Sequence, residues 1–112
     1  MTNSLLPFQT TDSYRVAKQL AVLVHRAGIR DTELRDQASR ASKSAFLQLS
    51  EGLPNYGEAM RRKYFVCARN SVCEVTAAID LAVEIDAIDA RRATEIIRCC
   101  GRLSALLTGL LR

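Results

Sequence analysis

The sequence is short of the residues that break helices or build metal and disulfide frameworks. Its 112 residues include 5 Gly, 2 Pro, 3 Phe, 3 Tyr, 1 His and no Trp. So few Gly and Pro exclude a turn-rich all-β chain and a low-complexity one. With aromatics at 5% and no Trp, the core has to be aliphatic. A single His and four Cys without a C-x-x-C pair exclude the common zinc arrangements, so no metal is expected. No apolar run approaches the ~18 residues of a membrane helix. The opening MTNSLLPFQ lacks the basic start and long apolar stretch of a signal peptide. Cys67, Cys73, Cys99 and Cys100 are then expected to be buried, reduced thiols in a cytoplasmic protein.

Catalytic constellations are missing as well. His25 stands alone, and its expected place is the surface or a boundary. Ser50, in LSEG, does not sit in a nucleophile-elbow pattern. Gly52 and Gly57 are too sparse for a phosphate loop. No Glu-x-x-His pair marks a di-metal bundle. The expectation is a protein that is no enzyme and has no cofactor.

What is present is helix-forming material. Apolar residues make up 48% of the chain, and Leu, Ala and Arg, all good helix formers, are abundant. Apolar residues recur at spacings of three and four in four segments, near 12–27, 32–51, 57–85 and 89–111. The inner lines are Tyr14, Ala17, Ala21 and Val24; Leu34, Ala38, Ala41, Ala45 and Leu49; Phe65, Ala68, Val72, Val75, Ile79 and Ala82; and Ile96, Cys99 or Cys100, Leu103, Leu107 and Leu110. Thr11 or Asp12, Asp31, Asn55 and Asp89 are available as N-caps. Gly28 fits a C′ position, and Gly52 with Pro54 stops the second segment. Links this short force neighbouring helices to run antiparallel. The expected fold is all-α: one domain over residues 1–112, an antiparallel up-down-up-down four-helix bundle.

The stretch ASRASKSAFLQLSEG, Ala38 to Gly52, explains its own small residues on this reading. Ala38, Ala41 and Ala45 face inward and let helix axes approach to ~8 Å, with Ser39, Ser42 and Ser44 on the flanks. Such a seam could lie inside the bundle or between subunits. The first and fourth segments carry wider apolar faces than a lone bundle needs, which points to self-association.

The net charge is +4 and unevenly placed: residues 1–70 carry +5 and residues 71–112 carry −1. MRRKYF puts Arg61, Arg62 and Lys63 at the start of the third segment, with Tyr64 and Phe65 following. Arg40 and Lys43 lie on the second segment, which runs beside it. Cations with an aromatic suit phosphate contacts and base stacking, so Arg40, Lys43, Arg61, Arg62 and Lys63 are the candidate nucleic-acid-binding residues. The competing reading is an ordinary solvated surface. Glu51, in a last helical turn where it opposes the dipole, reaches either the start of the third segment or solvent.

Two stretches also carry a family resemblance. ASRASKSAFLQLSEG resembles the RRAAVSIPSNIAEG signature of the four-helix-bundle 23S ribosomal RNA intervening-sequence proteins, with Arg40, Ala41, Ser44, Glu51 and Gly52 on matching positions. YFVCARNSVCE resembles the same family's FLRIALGSLAE element, with Ala68, Ser71 and Glu74 matching. Phe46, Gln48 and Asn70 depart, standing where the family usually has Pro, Asn and Gly. The resemblance implies an all-α homo-oligomer, pentameric in relatives, akin to the basic accessory variability proteins of diversity-generating retroelements. It implies binding or scaffolding and supplies no catalytic residues.

Three functional expectations follow. The first is a cytoplasmic, non-enzymatic oligomer that binds RNA or DNA through a basic surface. The second is a protein-interaction module with no nucleic-acid role, its partner docking on exposed parts of the first and fourth segments. The third, a small-molecule or metal-binding bundle, is the least supported.

Overall fold

The structure, a computed structural model, describes residues 4–112; the reading of the chain's opening reaches Met1 to Asn3, outside the described residues. A short 3-10 turn, Pro7–Thr10, precedes four helices: α1 (Asp12–His25), α2 (Thr32–Gly52), α3 (Glu58–Glu84) and α4 (Ala90–Leu110). Each helix begins and ends within two residues of the bounds that periodicity sets. There is no strand among the described residues.

Local chemistry accounts for the helix starts. The Thr11 hydroxyl accepts from the Tyr14 N–H, and the Asp31 and Asp89 carboxylates accept from Leu34 N and Arg92 N. Asn55 does not cap α3; Gly57 is its N-cap, and the Asn55 Oδ1 instead accepts from Gly57 N and shapes the turn. The end of α3 is a Schellman motif: Asp86 N–H donates to Val83 O and Ala87 N–H to Ala82 O. The motif needs a left-handed residue, and Asp86 supplies it at φ 58°.

Contacts between helices give the direction of each. On α2 and α3, Gln37 meets Glu74, Ser44 meets Ser71, and Gly52 abuts Phe65, so numbers rise on one helix as they fall on the other. On α1 and α4, Val16 meets Cys99 and Arg26 meets Arg92; on α3 and α4, Arg62 meets Leu111. Each helix packs on two neighbours, in the cyclic order α1–α2–α3–α4. The molecule is 20 Å in its thinnest direction, two helix diameters, so the four lie in two layers.

The core lies along the axis between these layers. Phe65, Leu20, Leu49, Ile79, Ile96, Leu103 and Leu107 fill it, with Val72 and Val75. The contact between α2 and α3 is the most extensive, and the alanine line makes it so. Ala38, Ala41 and Ala45 are buried there against a helix that offers Ala68 and Ser71. Ser42 is not on the flank, as spacing suggested, but 1% exposed within the seam, its hydroxyl donating to Ser39 O. Ser71 donates to Ser44 across the seam at 3.1 Å. The Ser71–Ser44 pair thus joins the two helices where their backbones run too close for larger side chains.

Gly52 has a different role from the one its sequence position implies. It is the last residue of α2, and the residue after it stays right-handed, so no left-handed turn is needed. A Cβ at Gly52 would lie 2.7 Å from Phe65 Cε1 and 3.0 Å from Tyr64 Cβ. What the position requires is the absence of a side chain where α3 crosses.

The wide apolar faces of α1 and α4 are consumed inside the bundle, because each packs on two neighbours. Only Val22 on α1 and Ile97 on α4 remain large, apolar and exposed. The exposed apolar residues gather at the two ends instead: Leu5, Leu6, Leu47, Tyr56 and Met60 at one, Leu81, Val83 and Ile85 at the other. All four cysteines are free, but only Cys99 and Cys100 are buried; Cys67 is half-buried and Cys73 exposed. Burial, and next the neighbouring Cys100, lift the Cys99 thiol to about 11, and burial raises Cys100 too. A raised folded-state value makes folding favour the neutral thiol. Its contribution is complete below the ordinary value of 9.0 and is lost as pH climbs toward 11.

Gly52→Ala is expected to lower stability by about 1–3 kcal/mol, because Phe65 is locked in the core and cannot yield. Gly101→Ala, on an open face of α4, is expected to raise it by ~0.5–1 kcal/mol. Urea unfolding of both variants beside the parent checks the pair; equal effects would show that the crossing at Gly52 is not tight.

Candidate nucleic-acid interface

The five candidate cations divide when placed in three dimensions. The ladder between α2 and α3 puts Arg40 and Lys43 near residues 72–75 of α3. At 1.5 Å per residue, that is roughly 15–20 Å along the axis from Arg61, Arg62 and Lys63. Arg40, Lys43, Arg62 and Lys63 are exposed, whereas Arg61 is half-buried. They form two separate clusters along α2 and α3.

Two of the five hold helix ends. Arg61 Nη1 donates to Leu53 O at 2.7 Å and to Gly52 O at 3.4 Å, the carbonyls that close α2. Its guanidinium also lies over the Phe65 ring, 5.0 Å from the centroid. Arg62 Nη1 donates to Leu111 O at 2.7 Å, the C-cap of α4. The last carbonyls of a helix lack partners within it and carry a partial negative charge. A guanidinium satisfies both needs. The cations that seem misplaced at the positive start of α3 therefore answer the negative ends of its two neighbours.

The opposite end of the bundle is built in the same way. Arg92 Nη1 donates to Arg26 O at 2.6 Å, closing α1, and Arg30 Nη2 donates to Asp86 O at 2.8 Å, just past α3. Three of the four helices, α1, α2 and α4, thus end on an arginine from another element, while the last carbonyls of α3 are taken by its own Schellman N–H groups. None of α2, α3 and α4 has a basic residue in its own last turn. Glu51 takes neither an N–H group nor Arg61 or Arg62; it is exposed, and the main chain beside it receives Arg61.

Sequence reasoning missed a further cationic region, between α1 and α4. Arg98 and Arg102, one turn apart, wall a groove of about 240 Å³ with Gln19 and Leu23 opposite. Both of its cations lie on α4, in the half of the chain that sums to −1, so no basic run announces them. His25 is exposed, as expected. Among the described residues, no group of three His, Cys, Asp or Glu could hold a metal ion, and no helix is long and apolar enough to cross a membrane.

The model of the 23S rRNA-intervening sequence protein family matches residues 9–109. The chain belongs to that family. No curated protein matches it. Within this 23S rRNA-intervening sequence protein, the two recognisable motifs pack on each other: Ala41, Ser44 and Gly52 lie on the α2 side of the seam, and Ala68 and Ser71 on the α3 side. The departure at Phe46 has a partner too. Its ring packs on Tyr14 at 5.1 Å, and Tyr14 meets Phe8 edge-on at 5.5 Å, which ties the 3-10 turn to α1 and α2.

Arg61→Ala is expected to destabilise the family fold by about 1–2 kcal/mol, since it strips the end of α2 of a charged donor. Lys63→Ala, with no such bond, is expected to stay within about 0.5 kcal/mol of the parent. Thermal unfolding of the two variants measures the difference. A neutral Arg61→Ala would mean that water caps α2 equally well.

Proposed function

We propose that the chain is a non-enzymatic, self-associating scaffold of the cytoplasm that binds RNA or DNA through its basic surface. The observation that carries this reading is the positive charge without a carboxylate partner. The chain has 16 Lys and Arg, yet only Arg15–Asp12 and Arg35–Asp36 form ion pairs among the described residues. Four arginines are engaged by helix ends, and most of the remainder stand free on the surface. Of the sequence candidates, Arg40, Lys43 and Lys63 are exposed and support phosphate contacts directly, while Arg61 and Arg62 contribute only the donors that their carbonyls leave over. A family described by a sequence that intervenes in 23S rRNA is consistent with an RNA setting.

Self-association rests on the apolar ends. Tyr56 is fully exposed, and Leu5, Leu6 and Leu47 are each 60% exposed or slightly more. A groove of about 560 Å³ between Phe8, Leu53 and Leu110 lies beside them. In a ring, of which relatives supply the number five, several copies of one modest basic surface act together. The same ends also support the second reading, a protein-interaction module without nucleic acid. Partner capture that survives nuclease treatment, together with no nucleic-acid binding, would favour it.

The expected outcome is salt-sensitive binding of purified protein to RNA or DNA, with affinity falling log-linearly as salt rises. The absence of such binding to every nucleic acid tried at low salt would end the reading. Sedimentation at micromolar concentration is expected to show an oligomer, and Tyr56→Ser with Leu47→Ser is expected to shift it toward monomer; a parent that sediments as a monomer would refute self-association.

A further inference from the structure

We infer that the groove between α1 and α4 is a phosphate-backbone track for double-stranded nucleic acid, and that it dominates the α2–α3 clusters in binding. This rests on the nucleic-acid reading above and assigns that binding a different face.

The geometry starts from register. The Val16–Cys99 and Arg26–Arg92 contacts set α1 against α4 so that Arg15 and Gln19 lie across from Arg102 and Arg98, and Arg26 across from Arg91. On α1, residues 15, 19, 22 and 26 follow four-three-four spacing and share one face. On α4, residues 91, 95, 98 and 102 do the same. Arg98, Arg102, Glu95, Gln19 and Leu23 line the groove, with Cys99 at its floor. Arg102 lines the groove alongside Cys99.

These cations are free. Arg98, Arg102 and Arg91 are exposed, and none of them makes a side-chain hydrogen bond or ion pair among the described residues. The Arg26 main chain caps α1, but its side chain is likewise exposed and uncommitted. Arg15 is held by Asp12 in an exposed pair, which a phosphate can replace. Glu95 is the acid on the groove wall. Five arginines thus form two rows against Glu95, Asp89 beside Arg91, and the already paired Asp12. Beyond Arg102 the α4 row continues as Ala105 and Gly109, which place no bulk in the way of a rod-like ligand.

The form of the rows selects the ligand. Each spans twelve residues, eleven helical steps of about 16 Å in all, or roughly half a turn of a duplex. The helix axes stand about 8–10 Å apart, so the two rows can reach the two backbones that flank one groove of a duplex, ~6–12 Å wide in B-form DNA. Arginine forks suit phosphate oxygens. No aromatic ring lines the groove, so splayed bases find nothing to stack on, and single strands lose their main source of affinity there. Leu23 and the half-open Val22 are the apolar side chains there, and without an aromatic beside them an acidic protein lacks the anchors that dominate protein interfaces.

The test compares the parent with Arg98→Gln/Arg102→Gln and with Lys43→Gln/Lys63→Gln, using fluorescence anisotropy on short duplex RNA, duplex DNA, oligo(U) and poly-glutamate across a salt series. Circular dichroism guards against misfolding, which exposed, unbonded side chains should not cause. The expected result is duplex binding by the parent, weakened about tenfold or more in Arg98→Gln/Arg102→Gln, with the log-log salt slope reduced by about two. Lys43→Gln/Lys63→Gln is expected to lose about threefold or less. The RNA and DNA arms show which duplex is preferred. Unchanged binding in the arginine variant with a large loss in the lysine variant would overturn the groove while leaving the nucleic-acid reading intact. Equal or tighter binding of oligo(U) or poly-glutamate would overturn the duplex assignment. A parent that binds no nucleic acid would remove both.

Discussion

Four helices laid alternately up and down bring two carboxyl ends to each end of the bundle. Every such end exposes carbonyls that no helical N–H can reach, with a concentration of partial negative charge. This chain answers three of them with guanidinium groups from elsewhere, Arg61 and Arg62 at one end and Arg92 at the other, and closes α3 with its own Schellman N–H groups, Arg30 binding the Asp86 carbonyl just past it. Each bond joins a helix terminus to a neighbouring element, so it fixes the height at which adjacent helices stand. The alanine seam then has its register, and Gly52 arrives where Phe65 leaves no room for a side chain.

That arrangement divides the arginines by role. A guanidinium bonded to a buried or capping carbonyl is architecture, however basic its neighbourhood looks in sequence. One that projects freely is available to a ligand. MRRKYF concentrates charge, yet two of its three cations are committed to α2 and α4. The α1–α4 face is unremarkable in sequence and keeps four of its five arginines unbonded, Arg15 alone being paired, with Asp12. Charge density along the chain and available charge on the surface are therefore different quantities here.

Much of the fold was legible from the residues. Three-four spacing located every helix, and Thr11, Asp31 and Asp89 cap as their types allow. The alanine line was readable because burial of small residues follows directly from periodicity. Ser42 was misplaced because its hydroxyl bonds the Ser39 carbonyl of its own helix and so tolerates burial, which a polarity pattern cannot register. The wide faces of α1 and α4 look like surplus in sequence, and only tertiary packing shows that each meets two neighbours. The roles of the arginines were hidden for a similar reason. A six-bond side chain reaches the end of a different helix, so its partner depends on where the chain returns rather than on what stands beside it.

The pairing of α1 with α4 differs in kind from the other three contacts. Turns of a few residues tie α1 to α2, α2 to α3 and α3 to α4, but the α1–α4 seam joins residues as far apart as Val16 and Cys99. It is the closing edge of the bundle, and its formation carries the loop-closure entropy of nearly the whole chain. A polyanion lying across both rows binds only the closed form, so by linkage it holds the bundle shut. Under the proposed binding, occupancy of that face and integrity of the fold become one equilibrium, with the nucleic acid as a clasp.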